Sequence, residues 1–229
     1  MAILFDFGGT LDADGLRLSL RFYRAFCRAG GRLPLAEFES LFRESDRQLA
    51  AMPGIRQAGC RETLEIQSDL LARLLAGAGH RTDRGALVQP VHDGILEAAD
   101  RNRPLLEGLA REHRLGVVSN FTGNLVPWLL DLDLLAPFAV VADSAVVGVE
   151  KPDPAIFRHA LDALNAEPAA TWMVGDNPWH DLMPAAQMGL STCWLAPPED
   201  RRTWPGGVPT ARISRLTHLP ALVATTCTA

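Results

Sequence analysis

Lysine is almost absent from this sequence: its 22 basic residues are 21 arginines and a single lysine, Lys151. A codon bias towards arginine accounts for the arginines but not for the exception. One compact ammonium kept at one place suggests a site where a planar guanidinium would not fit. Cysteine is also sparse. Cys27, Cys60, Cys193 and Cys227 are widely scattered, with neither zinc-ligand spacing nor the density of a disulfide scaffold. Reduced thiols in a cytoplasmic protein are the expectation. No basic run stands out and the formal net charge is −5, so a nucleic-acid partner has no electrostatic support. Long apolar runs are missing too. The stretch from Leu125 to Val149 is broken by Asp131, Asp133 and Asp143, which argues against a membrane span. The start, Met-Ala-Ile-Leu-Phe-Asp, lacks the positive region and long apolar core of a signal peptide. Repeats and low-complexity segments are absent.

What is present suits an ordinary globular chain. Of 229 residues, 48% are hydrophobic and 21% charged, enough for one large α/β domain or a core with a smaller companion. Residues 2–5 form a short apolar run that ends at Asp6 and enters a glycine-rich turn, the pattern of a buried strand. From about residue 15 to residue 90 the periodicity is helical. Leu16, Leu20, Tyr23 and Cys27 would share one face, Leu35, Phe38, Leu41 and Phe42 a second, and Leu64, Leu70, Leu71, Leu74 and Leu75 a third. Beyond residue 102, strands and helices alternate. Asn102 is read as a helix cap with Pro104 in the first turn, and strands are expected near 115–119, 138–141, 171–175, 192–195 and 212–213. Alternation of this kind predicts a doubly wound, Rossmann-like parallel sheet.

In such sheets ligands bind beyond the carboxyl ends of the strands. Asp6, Ser119, Lys151 and Asp176 all stand at or just after such ends. Singly, each is an ordinary cap or loop residue; together they form a coherent set. Asp6 and Asp176 could hold one hard cation through oxygen ligands. Asp181, five residues after Asp176, could assist or simply favour a helix N-terminus. Ser119 and Lys151 could receive a phosphoryl group opposite a carboxylate nucleophile.

Four segments then carry a resemblance. Ile3-Leu4-Phe5-Asp6-Phe7-Gly8-Gly9-Thr10-Leu11 resembles the first motif of the haloacid dehalogenase-like superfamily. Val117-Val118-Ser119-Asn120 is similar to its second, the segment from Lys151 to Phe157 to its third, and Val174 to Asp181 to its fourth. All four occur in the family's order. The resemblance implies a core domain formed by residues 1–14 and 91–229, with a helical cap domain at residues 15–90. It implies a magnesium-dependent phosphatase of a small phosphorylated metabolite, in which Asp6 forms an aspartyl-phosphate. It also implies that Gly9, Thr10, Ser119, Asn120 and Lys151 surround the phosphate. The metal would be held by Asp6, the Gly8 carbonyl and Asp176, with Asp181 in support.

One departure matters. Family phosphatases usually carry an aspartate two residues after the nucleophile, which protonates the leaving group and then activates water. Here that residue is Gly8. Asp12, Asp14 and His180 are candidates to replace it, each with a plainer explanation as a turn, cap or loop residue. A metal-independent 2-haloacid dehalogenase-like hydrolase needs neither the second aspartate nor the ion, and a non-catalytic binding protein could also tolerate Gly8. These two alternatives stay open at this point.

Overall fold

A computed structural model describes residues 1–198, 200–202 and 209–226. Cys227 lies outside the described residues. Six strands form one sheet: β1 (Ala2–Phe5), β2 (Arg114–Ser119), β3 (Phe138–Asp143), β4 (Thr171–Gly175), β5 (Ser191–Leu195) and β6 (Ala211–Ile213). Their order is β3-β2-β1-β4-β5-β6, and every neighbouring pair is parallel. The order reverses at β1, which is the switch point of an open α/β sheet.

Side chains of a strand alternate between faces. Ile3 and Phe5 therefore join one apolar cluster and Ala2 and Leu4 another. The second cluster is closed by α7 (Pro154–Leu164) and α8 (Met183–Gln187). The first is larger. It takes in α5 (Leu125–Asp131), α9 (Leu219–Thr226) and four helices that lie between β1 and β2 in the chain: α1 (Leu18–Arg28), α2 (Leu35–Ala50), α3 (Cys60–Gly77) and α4 (Arg84–Ala110). A short helix, α6 (Ser144–Val147), follows β3. The doubly wound α/β class is as expected.

Three local expectations are corrected. The buried face of α1 is Phe22, Ala25 and Phe26, while Cys27 is exposed. Phe26 and Phe38 pack ring against ring, at 5.4 Å between centroids, and aromatic burial outweighs the Leu16-to-Cys27 stripe. Asn102 caps nothing: it lies inside α4, fully buried, and its Nδ2 donates to the Leu11 carbonyl at 2.9 Å. Pro104 likewise falls within α4 rather than at a helix start. Helix α4 also runs unbroken across residues 90 and 91, because Asp83 caps its start and its buried residues, from Leu87 to Leu109, form one continuous face.

The helical insert is also fastened to α5 by polar bonds. The Thr63 hydroxyl accepts from Asn124 Nδ2 at 2.8 Å and from Trp128 Nε1 at 3.0 Å, and donates to the Gly59 carbonyl. Asp131 accepts from the Cys60 backbone N–H at the start of α3. Among the described residues, no helix is long and apolar enough to cross a membrane.

Candidate active site

Topology alone brings three of the expected residues together. Asp6 follows β1, Ser119 ends β2 and Asp176 follows β4, and β1 lies between the other two. The Asp6 N–H donates to the Val174 carbonyl, so the ladder continues one residue past β1 and fixes the carboxylate at the sheet edge. Lys151 comes from the loop after α6. Asn120 holds that loop in place: its Oδ1 accepts from the Lys151 N–H at 2.7 Å and its Nδ2 donates to the Lys151 carbonyl at 2.9 Å. Asp181 sits on a wide helical turn, Pro178–Leu182, whose start is capped by Asn177. Its Oδ2 accepts from the Asn177 N–H.

These residues meet. Lys151 Nζ donates to Asp6 Oδ1 at 2.6 Å and to Asp181 Oδ1 at 2.7 Å, with the lysine only 3% exposed. Ser119 Oγ donates to the same Asp6 oxygen, and Thr10 Oγ1 to the other, each at 3.2 Å. The lone lysine of the chain is thus its most enclosed cation, gripped by two carboxylates.

One ammonium does not balance three buried carboxylates. Burial pushes Asp176 well above the usual carboxylate range, and the charges of Asp181 and Asp6 push it further. Burial likewise raises Asp181 to about 6, with Lys151 opposing. Lys151 moves the other way: burial alone would lower it, but Asp181 and Asp6 outweigh that and hold it above its ordinary value. Carboxylate oxygens of Asp6, Asp176 and Asp181 lie within 4.8 Å of one another. An all-oxygen, over-acidic cluster of this size fits a hard divalent cation, which would supply the missing positive charge.

Two glycines make room for it. A Cβ on Gly9, whose φ is +88°, would lie 2.9 Å from Asp176 Cγ, and one on Gly175 would lie 2.5 Å from Asp181 Oδ2. Gly8 is different. A Cβ there meets nothing within 4 Å, and the residue lines an adjoining cavity of about 580 Å³. That volume suits a small organic ligand. Asp6, Ser119, Asn120, Lys151, Asp176 and Asp181 also line it, whereas Gly9 and Thr10 lie behind it. Their N–H groups are engaged inside the loop, Gly9 with Asp12 Oδ1 and Thr10 with the Phe7 carbonyl, so they shape it from within.

Of the three candidates to replace the missing aspartate, Asp12 lines the cavity but is buried in an ion pair with Arg21. Asp14 pairs with Arg101 and does not line the cavity. His180 does line it. The sequence reading missed the other wall. Asp46 on α2 and Gln67 on α3 line the same cavity, and Gln67 Nε2 donates to Asp46 Oδ1 at 2.7 Å. One signal was available: Gln67 and Ser68 interrupt the apolar stripe of α3 between Leu64 and Leu71.

The chain is similar to several known proteins. The phosphoserine phosphatase of Thermus thermophilus is 35% identical over 151 residues, 64% of this chain and 57% of that protein. The glyceraldehyde 3-phosphate phosphatase of Pyrococcus furiosus is 41% identical over 104 residues, 44% of this chain and 42% of that one. The chain therefore spans less than two thirds of either relative. The L-2-haloacid dehalogenase of Xanthobacter autotrophicus shares the fold at a TM-score of 0.60 and 19% identity, over 97% of this chain and 98% of that one. A family profile described as haloacid dehalogenase-like hydrolase matches residues 1–189, from before the carboxylate that ends β1 to beyond the one on the turn after β4. The chain belongs to the haloacid dehalogenase-like hydrolases.

Proposed function

We propose that the chain is a magnesium-dependent phosphatase of a small phosphorylated metabolite. The observation that carries this is the convergence of Asp6, Asp176 and Asp181 on one buried lysine beside a ligand-sized cavity. A dehalogenase has no need of three mutually repelling carboxylates, whereas an ion-assisted phosphoryl transfer does. Two of the relatives are named as phosphatases, which agrees.

Asp6, Asp176 and Asp181, with the Gly8 carbonyl, would hold the ion, which when bound neutralises charge on the phosphoryl oxygens. The Asp6 carboxylate attacks phosphorus. Its O–P bond forms as the ester O–P bond breaks, giving an aspartyl-phosphate. Lys151 and Ser119, already aimed at Asp6, stabilise the charge that spreads over the phosphoryl oxygens. Water then splits the Asp6 acyl phosphate and inorganic phosphate leaves. Asn120 acts through Lys151 by fixing its backbone. At residue 8 no carboxyl is present to protonate the leaving oxygen, so good leaving groups should react far faster than alkoxides.

The test is phosphate release from p-nitrophenyl phosphate with and without magnesium, alongside chloride release from 2-chloropropionate. Magnesium-dependent phosphate release abolished by Asp6→Asn is expected. Chloride release without metal would establish the dehalogenase alternative instead. Silence in both assays together with tight magnesium binding would favour a non-catalytic role.

A further inference from the structure

The helical insert supplies a polar wall to the cavity that phosphoryl transfer does not use. Asp46 and Arg47 of α2 and Gln67 of α3 form it. Gln67 is 1% exposed, and its amide is held by donating to Asp46 Oδ1 at 2.7 Å and Ser45 Oγ at 2.8 Å. Its Oε1 is buried with no partner. Both donor bonds of the Gln67 amide are thus spent on α2, and they fix the Asp46 carboxylate on the cavity wall. Arg47, the cation on this wall, is committed: its Nε and Nη2 both hold Glu44. The wall therefore presents the Asp46 carboxylate, held by Gln67, while the neighbouring Arg47 is engaged by Glu44.

We propose that this wall selects the leaving group, and that the substrate is the phosphate monoester of an amino alcohol, its ammonium received by Asp46, which Gln67 holds in place. This deepens the phosphatase assignment and rests on it. The phosphate would occupy the strand ends at Lys151 and Ser119, and the amine the insert side of the same cavity. A carboxylate or second phosphate on the substrate would face Asp46 without a counter-charge. The state of Asp46 agrees. Burial of its carboxyl, opposed by the Gln67 N–H, pushes it up to about 7. The residue is exposed overall, which moderates the effect, but the direction is that of a carboxylate lacking a cation. An ammonium supplies one.

The experiment measures kcat/KM in magnesium for O-phosphoethanolamine, glycerol 3-phosphate, phosphoglycolate and p-nitrophenyl phosphate. The amino ester is expected to exceed the hydroxylated ester by about tenfold, the scale of one charge-assisted hydrogen bond, and to exceed the carboxylated one by more. In Asp46→Asn and Asp46→Ala, the ratio of the amino ester to the aryl ester should fall by about tenfold, mainly through KM. Equal or better turnover of phosphoglycolate, or an unchanged ratio in both variants, overturns the amino-alcohol assignment alone. Failure of the unaltered protein to hydrolyse even the aryl ester overturns the phosphatase assignment, and this one with it.

Discussion

Gly8→Asp should turn a slow enzyme for alkyl phosphates into a faster one. The substitution is sterically free: a Cβ at residue 8 has no heavy atom within 4 Å, and its φ lies outside the left-handed region that constrains Gly9. Folding should therefore change little, by about 0.5 kcal/mol or less. The new carboxyl would enter the cavity beside Asp6 and near Asp176 and Asp181, whose charges favour its protonated form. That is the state a proton donor needs. General acid–base groups contribute about 10²- to 10⁴-fold, or roughly 3–5 kcal/mol of barrier. For glycerol 3-phosphate, kcat/KM should rise by about 10²-fold or more. For p-nitrophenyl phosphate, whose leaving group needs no proton, it should barely move. Steady-state phosphate release with both substrates measures this, with thermal unfolding run on the same samples and Gly8→Asn as the control lacking an acid. No gain on the alkyl ester from a variant with unchanged melting temperature would refute the idea that only a proton donor is missing.

Lys151→Met should remove the one cation buried among the carboxylates and destabilise the fold by about 3–5 kcal/mol at pH 8. Urea unfolding should show a smaller loss at pH 5, where protonation relieves the repulsion; an equal loss at both would contradict the charge account. Asp176 and Asp181 are raised in the folded state, Asp181 from 3.8 to about 6, so the unfolded chain gives up its protons at lower pH. Their contribution to stability is fully present below about 4 and is lost as pH rises through the folded values. In EDTA the melting temperature should thus carry a downward component between pH 4 and 7, and the stabilisation by magnesium should grow over the same range; a magnesium effect independent of pH would count against ion binding at these carboxylates. Thr63→Val should strand the Trp128 N–H and leave Asn124 only its bond to the Ala58 carbonyl, costing about 1–3 kcal/mol by urea unfolding, while a change below about 0.5 kcal/mol would show that water replaces the hydroxyl.

Much of the core of this fold could be read from the residues. A strand ending in a polar group leaves a local trace, and alternation of strands with helices dictates the parallel sheet, so the sequence alone places Asp6, Ser119 and Asp176 at one edge. Lys151 betrayed itself by rarity. Its contact with Asp181 was less visible, since it depends on the wide turn at Pro178–Leu182 that swings the carboxylate back over Asn177. Helix faces in the insert were misjudged where aromatic packing competed with leucine periodicity, as in α1, where Phe22 and Phe26 win. Asn102 was misread because an isolated Asn before a Pro looks like a cap, whereas its partner, the Leu11 carbonyl, is 91 residues away. Asp46 and Gln67 lie on two helices, and nothing in either helix alone shows that they meet on one wall of a cavity.

Helix α4 has a consequence for engineering. It begins among the insert helices, crosses without interruption to the sheet, and buries Leu87 at one end and Leu106 and Leu109 at the other. Grafting a foreign lid by cutting near residue 90 would therefore sever a single rigid rod and strip apolar surface from both halves at once. A chimera that keeps the rod whole moves the joins to Leu16 and Arg17, just before α1, and to the turn before Asp83, where no residue is fully buried.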